Sequence, residues 1–488
     1  MQGVHTVAEV RAAEESALAR VAPDELMIRA ATALARTCAE LLLAHRGGIY
    51  GARVVALVGT GNNGGDALYA CAMLARRGVS VEIIPVGVRM HERAADAAMR
   101  AHCRVLPMVE THREVAQSAI VGADLIIDGL VGLGGKGELR DAAARLADLA
   151  TSSSGLVVAV DLPSGVDADT GQAADGAVWA DVTVTFGLMK PGLLLPPGSL
   201  HAGVVDLADI GIARDAVVPS ITCLAASDVA AMLPFPGPLD HKYSQGVVGV
   251  VAGSRQYPGA AVLTVGAALR TKTGLVRYVG AADHEVVNAW PSAIVSQGFV
   301  ADAGRVQAWA VGPGLGTDES ARHQLVEVLA APVPVVVDAD ALTVAAITPD
   351  AVRHREQITV LTPHLTEFAR LAPDVDVSVD PVSAVRTLAA RMQCTVLLKG
   401  ATTVVADADG QVRLNLTGTP WLATAGTGDV LTGVIAALLA AGLSGLDAAS
   451  AGAFVHGLAG RLAADDAPAP SSAVVDALPQ AIRAITRP

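Results

Sequence analysis

Aromatic residues are scarce in this chain, 3% of its 488 residues. Charged residues are also few, at 17%, whereas hydrophobic residues reach 52%. A disordered chain has the opposite balance, so that class is excluded. With few rings available, the core must be built from Ala, Val, Leu and Ile, which suits helices packed closely on sheets. Positive charge is in deficit: 35 Lys and Arg stand against 48 Asp and Glu, a formal net charge of −13, with no basic run. Nucleic acid is held through clustered cations, so it is not expected as a partner. Cysteine is sparse and scattered. Cys38, Cys71, Cys103, Cys223 and Cys394 share no zinc or redox spacing. They read as reduced thiols of a cytoplasmic protein. Met1 to Arg20 mixes Glu, Arg and Ala without an apolar core, so no signal peptide is expected. A long apolar run is missing too. Val430 to Leu446 is uncharged but shorter than the ~20 residues of a span, and it holds Thr432, Gly433, Gly442, Ser444 and Gly445. It reads as a buried helix, and no membrane association is expected.

What the chain does have is glycine, 49 residues, much of it clustered. Its length suggests two or three domains. The stretch to about Ala44 reads as helical. Arg53 to Val58 reads as a buried strand, Asp66 to Arg77 as a helix and Ser80 to Val86 as a strand. Ala123 to Asp128, Leu156 to Asp161 and Val182 to Phe186 read as further strands. Strands alternating with helices predict an α/β fold with a parallel sheet covered on both faces. Functional groups of such sheets lie at the carboxyl ends of strands. Pro191 to Gly203 breaks the pattern, and Leu233 to Leu239 is a second break. We expect a first domain over 1–212, a linker over 213–224 and a second domain over 225–488. In the second, strands are expected at Gly246 to Ala252, Leu275 to Val279, Ala308 to Val311, Val333 to Asp338, Ile358 to Leu361, Thr395 to Leu398 and Thr402 to Ala406. A helical stretch from Val430 onward completes it.

The first domain carries three motifs at strand ends. Gly59 to Asp66 follows a strand and opens a helix, where glycine N–H groups bind anions. It satisfies G-x-G-x-x-G, with Glu82 on the next strand as the acid of a dinucleotide fingerprint. A plain turn is the bland alternative, but Asn62, Asn63 and Asp66 are more polar than a turn needs. Asp128 is followed by a glycine loop, Gly132 to Glu138. That loop is not a Walker A motif, because Gly137 follows Lys136. Asp161-Leu-Pro-Ser164-Gly165 places a carboxylate and a hydroxyl on one turn. Asn63, Asp128 and Ser164 could form an all-oxygen cation site; for Asp128 alone, a helix N-cap is the alternative. Lys190 either closes the pocket or is solvated.

In the second domain, Gly253 to Ala261, Gly312 to Gly316 and Asp338 to Leu342 each follow a strand. His364 and Glu367 could be a metal pair, although ligand contact or helix capping suits them better. Lys399 to Thr403 puts a cation and hydroxyls at a strand end. Gly426-Thr-Gly428-Asp429 opens the apolar helix. Its N–H groups make an anion hole, and Asp429 can take a proton from a substrate hydroxyl. That pairing suits phosphoryl transfer from a nucleotide.

Together, Asn62-Asn63-Gly64-Gly65-Asp66, Asp128 with its glycine loop, Asp161 to Gly165 and Lys190-Pro-Gly192 resemble the NAD(P)H-hydrate epimerase family. Tyr257 to Ala261, Gly312 to Gly316, Thr362-Pro-His364-x-x-Glu367, Lys399 to Thr403 and Gly426 to Asp429 resemble the ADP-dependent NAD(P)H-hydrate dehydratases of the ribokinase-like superfamily. The resemblance implies a Rossmann-like three-layer domain that interconverts R and S hydrates with a potassium ion. A ribokinase-like α/β domain would then dehydrate the S form with ADP and magnesium. In the first domain it implies substrate contacts from Asn62, Asn63, Gly64, Gly65, Asp66, Gly132, Leu133, Gly134, Gly135, Lys136, Gly137 and Glu138, with Asp161 as acid/base group. Potassium would lie on Asn63, Asp128 and Ser164. In the second it implies hydrate contacts from Ala261, Gly316, His364 and Asp429. Nucleotide contacts would come from Lys399, Gly400, Ala401, Thr402, Thr403 and Gly428, with Asp429 as base. Ala67, where a glycine is expected, and Gly134-Gly135-Lys136 depart from the commoner pattern. Small-molecule substrates and a homo-oligomer are expected. A vitamin-precursor kinase would explain Gly426 to Asp429 but leave the first domain idle. A dinucleotide-binding regulator would leave Asp161, Lys399 and Asp429 without a task.

Overall fold

The computed structural model describes residues 1–488 except 110–111, 136, 214–216, 234, 297 and 487–488. It divides into two compact units, Gly3–Ser220 and Ile221–Pro488, the latter joined by Met1–Gln2.

The first unit is a seven-stranded sheet, parallel throughout. Across it run Arg104–Val105, Ser80–Pro85, Arg53–Val58, Leu125–Gly129, Leu156–Val160, Val182–Phe186 and Val204–Ala208. Successive side chains of a strand point to opposite faces. Val54, Ala56 and Val58 therefore enter one core with Leu34 and Leu42 of helix Glu25–Arg46 and Leu68 of helix Asn62–Ala75. Val55 and Leu57 enter the other, with Ile120 and Leu146 of helices Arg113–Val121 and Asp141–Thr151. This is the three-layer arrangement expected. Strand order reverses between Arg53–Val58 and Leu125–Gly129, the place where such sheets open a ligand crevice. There the backbones nearly touch: a Cβ on Gly59 would lie 1.9 Å from the Leu130 carbonyl oxygen.

The second unit centres on parallel strands Val247–Val251, Leu275–Val279, Ala308–Val311, Val335–Val337, Thr359–Leu361 and Thr395–Leu398. Thr403–Ala406 and Val412–Asn415 continue it antiparallel. Helix Thr427–Ala440 is buried along nearly its whole length, packed on helix Pro258–Arg270. A helix apolar all round is a core helix. Close approach depends on Gly433, where a Cβ would meet the Thr264 carbonyl oxygen at 2.3 Å.

Several expectations are corrected. The N-terminal stretch is two helices, Val7–Leu18 and Glu25–Arg46, preceded by strand Gln2–Val4. Thr6 and Glu9 close a capping box, and Asp24 takes a left-handed φ of 64° between the helices. The helix expected from Asp66 starts at Asn62, so Asn62 to Asp66 form its first turn. The apolar run Val430 to Leu446 is not one helix. Gly442, at φ 97°, ends Thr427–Ala440, with Leu443 N–H donating to Leu438 O at 3.2 Å. That is a Schellman ending. Helix Gly445–Ala464 then begins. Strand Ile221–Cys223 lies within the stretch read as linker and pairs with Val412–Leu414.

Gly433→Ala is expected to destabilise the second unit by about 1–3 kcal/mol through overpacking. A lowered thermal midpoint checks this. Gly259→Ala, where a Cβ meets nothing within 4 Å, should leave the midpoint near that of the parent chain.

Candidate active sites

In the first unit, the crevice gathers the strand-end residues. Gly64, in the first turn of helix Asn62–Ala75, lies so close to the end of strand Arg53–Val58 that a Cβ would lie 2.2 Å from Gly59 O. Asn63 is buried, and its Nδ2 donates to Val160 O. Gly132 lies against the same amide, where a Cβ would meet Asn63 Oδ1 at 2.1 Å. Asp128 sits inside strand Leu125–Gly129, so the N-cap reading is overturned. Its Oδ1 accepts from Ser164 Oγ at 2.7 Å and its Oδ2 from Ser164 N–H at 2.8 Å. Ser164 Oγ in turn accepts from Val131 N–H at 3.0 Å. Among the described residues no Lys, Arg or His pairs with Asp128. Burial raises its pKa, with the Ser164 and Leu130 hydrogen bonds opposing. A buried carboxylate with the Ser164 hydroxyl on it and the Val131 carbonyl beside that hydroxyl is an oxygen set that fits a hard cation.

Asp161 follows strand Leu156–Val160 with a left-handed φ of 66°. Its Oδ1 accepts from Lys190 Nζ at 2.5 Å, Thr185 Oγ1 at 3.1 Å and Phe186 N–H at 3.1 Å. Lys190 is 1% exposed, so the solvated reading is overturned. It also donates to Thr185 Oγ1 at 2.9 Å and Phe186 O at 3.0 Å. Asn62 and Asp66 line a cavity of about 290 Å³ with Glu14, Met27 and Phe186. Burial, then the charges of Asp161 and Glu14, holds the Asp66 carboxyl well above the usual range. In the glycine loop, Gly135 N–H donates to Gly132 O, Leu133 packs on the core, and Gly134, Gly137 and Glu138 are exposed. Gly65 lies against Met27 and His91. Lys136 lies outside the described residues. Glu82 is not a fingerprint acid, because it sits mid-strand in an ion pair with Arg104 at 3.1 Å.

In the second unit, Lys399 reaches across strand ends to Asp338 Oδ1 at 2.7 Å and lies 3.7 Å from Glu367 Oε2. Asp338 Oδ2 accepts from Thr432 Oγ1 at 2.7 Å. Gly428 abuts this pair: a Cβ there would lie 3.4 Å from Lys399 Nζ and 3.7 Å from Asp338 Oδ2. Burial alone would lower the Lys399 pKa. The carboxylates of Asp338, Glu367 and Asp429 outweigh it and raise the pKa above the ordinary value. Asp429 is pushed up to about 7, first by burial and then by Asp338, with Lys399 opposing.

His364 caps helix Leu365–Leu371, accepting from Thr366 N–H at 3.1 Å, while Glu367 accepts from His364 N–H at 2.9 Å. Glu367 is thus committed to the cap and to Lys399, and the metal-pair reading gives way to capping. A cavity of about 460 Å³ joins His364, Lys399, Gly400, Ala401, Thr403 and Gly428 to Leu431 and His456. Thr402 is part of the same turn. Gly316, at φ 89°, donates its N–H to Asp340 Oδ2 at 2.8 Å. Ala261 is fully buried with its side chain against the Gly253 turn, and it does not line that cavity. Sequence reasoning does not single out Glu14, one of several charged residues on its helix, or His456, a lone polar residue in an apolar helix; neither lies in a motif.

The chain matches two family models, one described as YjeF-related protein N-terminus over residues 23–192 and one as NAD(P)H-hydrate dehydratase over 248–483. It is 48% identical to the bifunctional NAD(P)H-hydrate repair enzyme Nnr of Mycobacterium leprae, over 96% of this chain and 95% of that one. It is 47% identical to the enzyme of the same name from Mycobacterium tuberculosis, over 92% of each. A solved ribokinase-like superfamily protein from Enterococcus faecalis shares the second unit's fold, with 24% identity, a TM-score of 0.51 and coverage of 56% of this chain and 98% of that one. With both family models matched in order and such identity along almost all of its length, the chain belongs to the bifunctional NAD(P)H-hydrate repair enzymes.

Proposed function

We propose that this chain restores hydrated NADH and NADPH in two steps. The N-terminal domain, 1–212, interconverts the R and S hydrates. The C-terminal domain, which begins with strand Ile221–Cys223, dehydrates the S hydrate with ADP, releasing AMP and phosphate. The observation that carries this reading is Asp429, a carboxyl poised near neutrality at the start of a buried helix and beside Lys399.

In the second site, Asp429 takes the proton of the C6 hydroxyl. The freed oxygen forms a bond to the β-phosphorus of ADP as the bond to the α-phosphate oxygen breaks and AMP leaves. Lys399 and the N–H groups of the helix start hold the phosphate charge in place. Loss of phosphate from C6 and of a proton from C5 restores the double bond. Magnesium is proposed to travel with the nucleotide phosphates and to offset their charge. The nearby carboxylates are already engaged, Asp338 with Lys399 and Asp340 with Gly316 N–H.

In the first site, Asp161 is proposed as the acid/base group, clamped by Lys190. Asn63, Asp128 and Ser164 are proposed to hold potassium, which supplies a fixed positive charge near the substrate phosphates. Among the described residues no helix is long and apolar enough to cross a membrane. We take the enzyme to act in the cytoplasm as a homo-oligomer.

Incubation with hydrated NADH or NADPH, ADP, potassium and magnesium should restore NAD(P)H absorbance; no recovery would refute the reading. Asp429→Asn should abolish recovery while leaving R/S exchange intact, and Asp161→Asn should do the reverse. Only the deprotonated Asp429 is a base, so its raised pKa confines full activity to the alkaline side. The dehydration rate should therefore climb with pH up to about 7 and level off above it. A rate independent of pH from 5 to 8 would remove Asp429 as the base, since a group that titrates near neutrality must leave its mark there. Asp128→Ala should lower R/S exchange and its response to potassium, with recovery of the S hydrate unchanged.

A further inference from the structure

We propose that Glu14 is a second catalytic residue of the first site, exchanging a proton with the reacting hydroxyl as the partner of Asp161. This rests on the reading of the first unit as an epimerase and adds to it a group that neither motif nor resemblance indicates.

Glu14 lies on helix Val7–Leu18, in the wall of the cavity of about 290 Å³ that also contains Asn62 and Asp66. Among the described residues, neither Glu14 nor Asp66 has a hydrogen bond or ion pair within the protein. Asp66 is nevertheless 6% exposed and borders the cavity. A carboxyl as buried as Asp66 is normally satisfied, so one left open in a wall shared with the half-buried Glu14 is arranged for something that enters. Asp161 differs, because Lys190, Thr185 and the Phe186 N–H occupy its Oδ1.

The groups share one electrostatic field. Burial and the Asp161 charge raise the Glu14 pKa, with Lys190 and Arg11 opposing. Asp66 feels Asp161, Glu14 and Lys190. Asp24 and His91 also border the cavity. Two carboxyls in different surroundings, Asp161 clamped by Lys190 and Glu14 open to the cavity, are a general route to separate acid and base roles.

The chemistry requires such a pair. Glu14 donates its proton to the C6 hydroxyl. The N1 lone pair forms the C6–N1 double bond as the C6–O bond breaks and water leaves. A water then bonds to C6 from the other face. The C6–N1 π electrons return to N1, and Asp161 accepts the proton that the water sheds. Conversion of the opposite epimer exchanges the two roles, so acid and base are both regenerated.

The test uses the whole chain and follows R/S exchange by separating the epimers over time. Glu14→Gln should lower kcat for exchange by roughly 100-fold or more, the scale of a lost general acid. KM should stay within about threefold, and recovery of the S hydrate should be unchanged. The alkaline limb of the wild-type profile should lie above the ordinary glutamate range and vanish in the variant. Glu14→Asp should regain at least about tenfold over Glu14→Gln, with its limb still present. Exchange by Glu14→Gln within about threefold of wild type overturns the proposal. So does failure of Glu14→Asp to regain activity, which would make Glu14 a packing residue. Wild-type protein that exchanges epimers no faster than buffer would instead overturn the epimerase reading itself, whatever the variants do.

Discussion

Each unit sets one lysine against one buried strand-end aspartate, and the chemistry of each site is arranged around that pair. Lys190 meets Asp161 at 2.5 Å, and Lys399 meets Asp338 at 2.7 Å. Parallel strands deliver such groups to one edge of the sheet, where helices on both faces exclude water. A buried charge persists only when it is paired and hydrogen-bonded. Removing one partner typically costs about 3–5 kcal/mol, because the other is left uncompensated. The surrounding donors are therefore part of the pair. Thr185 bridges Lys190 and Asp161, and Thr432 completes Asp338. Asp66 in one unit and Asp429 in the other are pushed upward first by burial and then by the negative charge of neighbouring carboxylates, with the lysine of each unit opposing.

The same pairs explain how an acidic chain serves phosphate-bearing ligands. Its net charge of −13 repels anions at long range. Binding must then come from fixed local dipoles. Helix starts at Asn62 and Thr427 turn N–H groups toward the crevices, and glycines let the ligand approach the backbone. A single buried cation beside such a helix start counts for more than several on a wet surface, because screening is weaker there.

The strands and their functional ends were largely legible in the sequence. Val182–Phe186, Leu275–Val279, Ala308–Val311 and Thr395–Leu398 form as read, because β-branched apolar runs bounded by glycine have few other ways to bury themselves. Short edge strands were not legible. Ile221–Cys223 has too few residues for a periodic signal and exists because Val412–Asn415 offers it a free edge. The end of helix Thr427–Ala440 was hidden because composition stays apolar through the turn, while the signal lay in the backbone angle of Gly442. Lys190, Glu14 and His456 share one difficulty. Burial of a polar side chain is decided by elements distant in sequence, and one residue cannot announce it. His456 is the extreme case, a ring inside an apolar helix whose burial lowers its pKa to about 4.

Asn63 adds a constraint of a different kind. Its Nδ2 is tied to the Val160 carbonyl, so its oxygen is the end turned toward Gly132 in the glycine loop that follows Asp128. Gly132 fits against that oxygen because it has no side chain. A methyl group at 132 would force the amide to rotate, and rotation would present an NH₂ group where an oxygen stood. The electrical polarity of the cluster is thus written in the orientation of one uncharged side chain. One hydrogen atom's worth of space at a neighbouring glycine keeps it that way round.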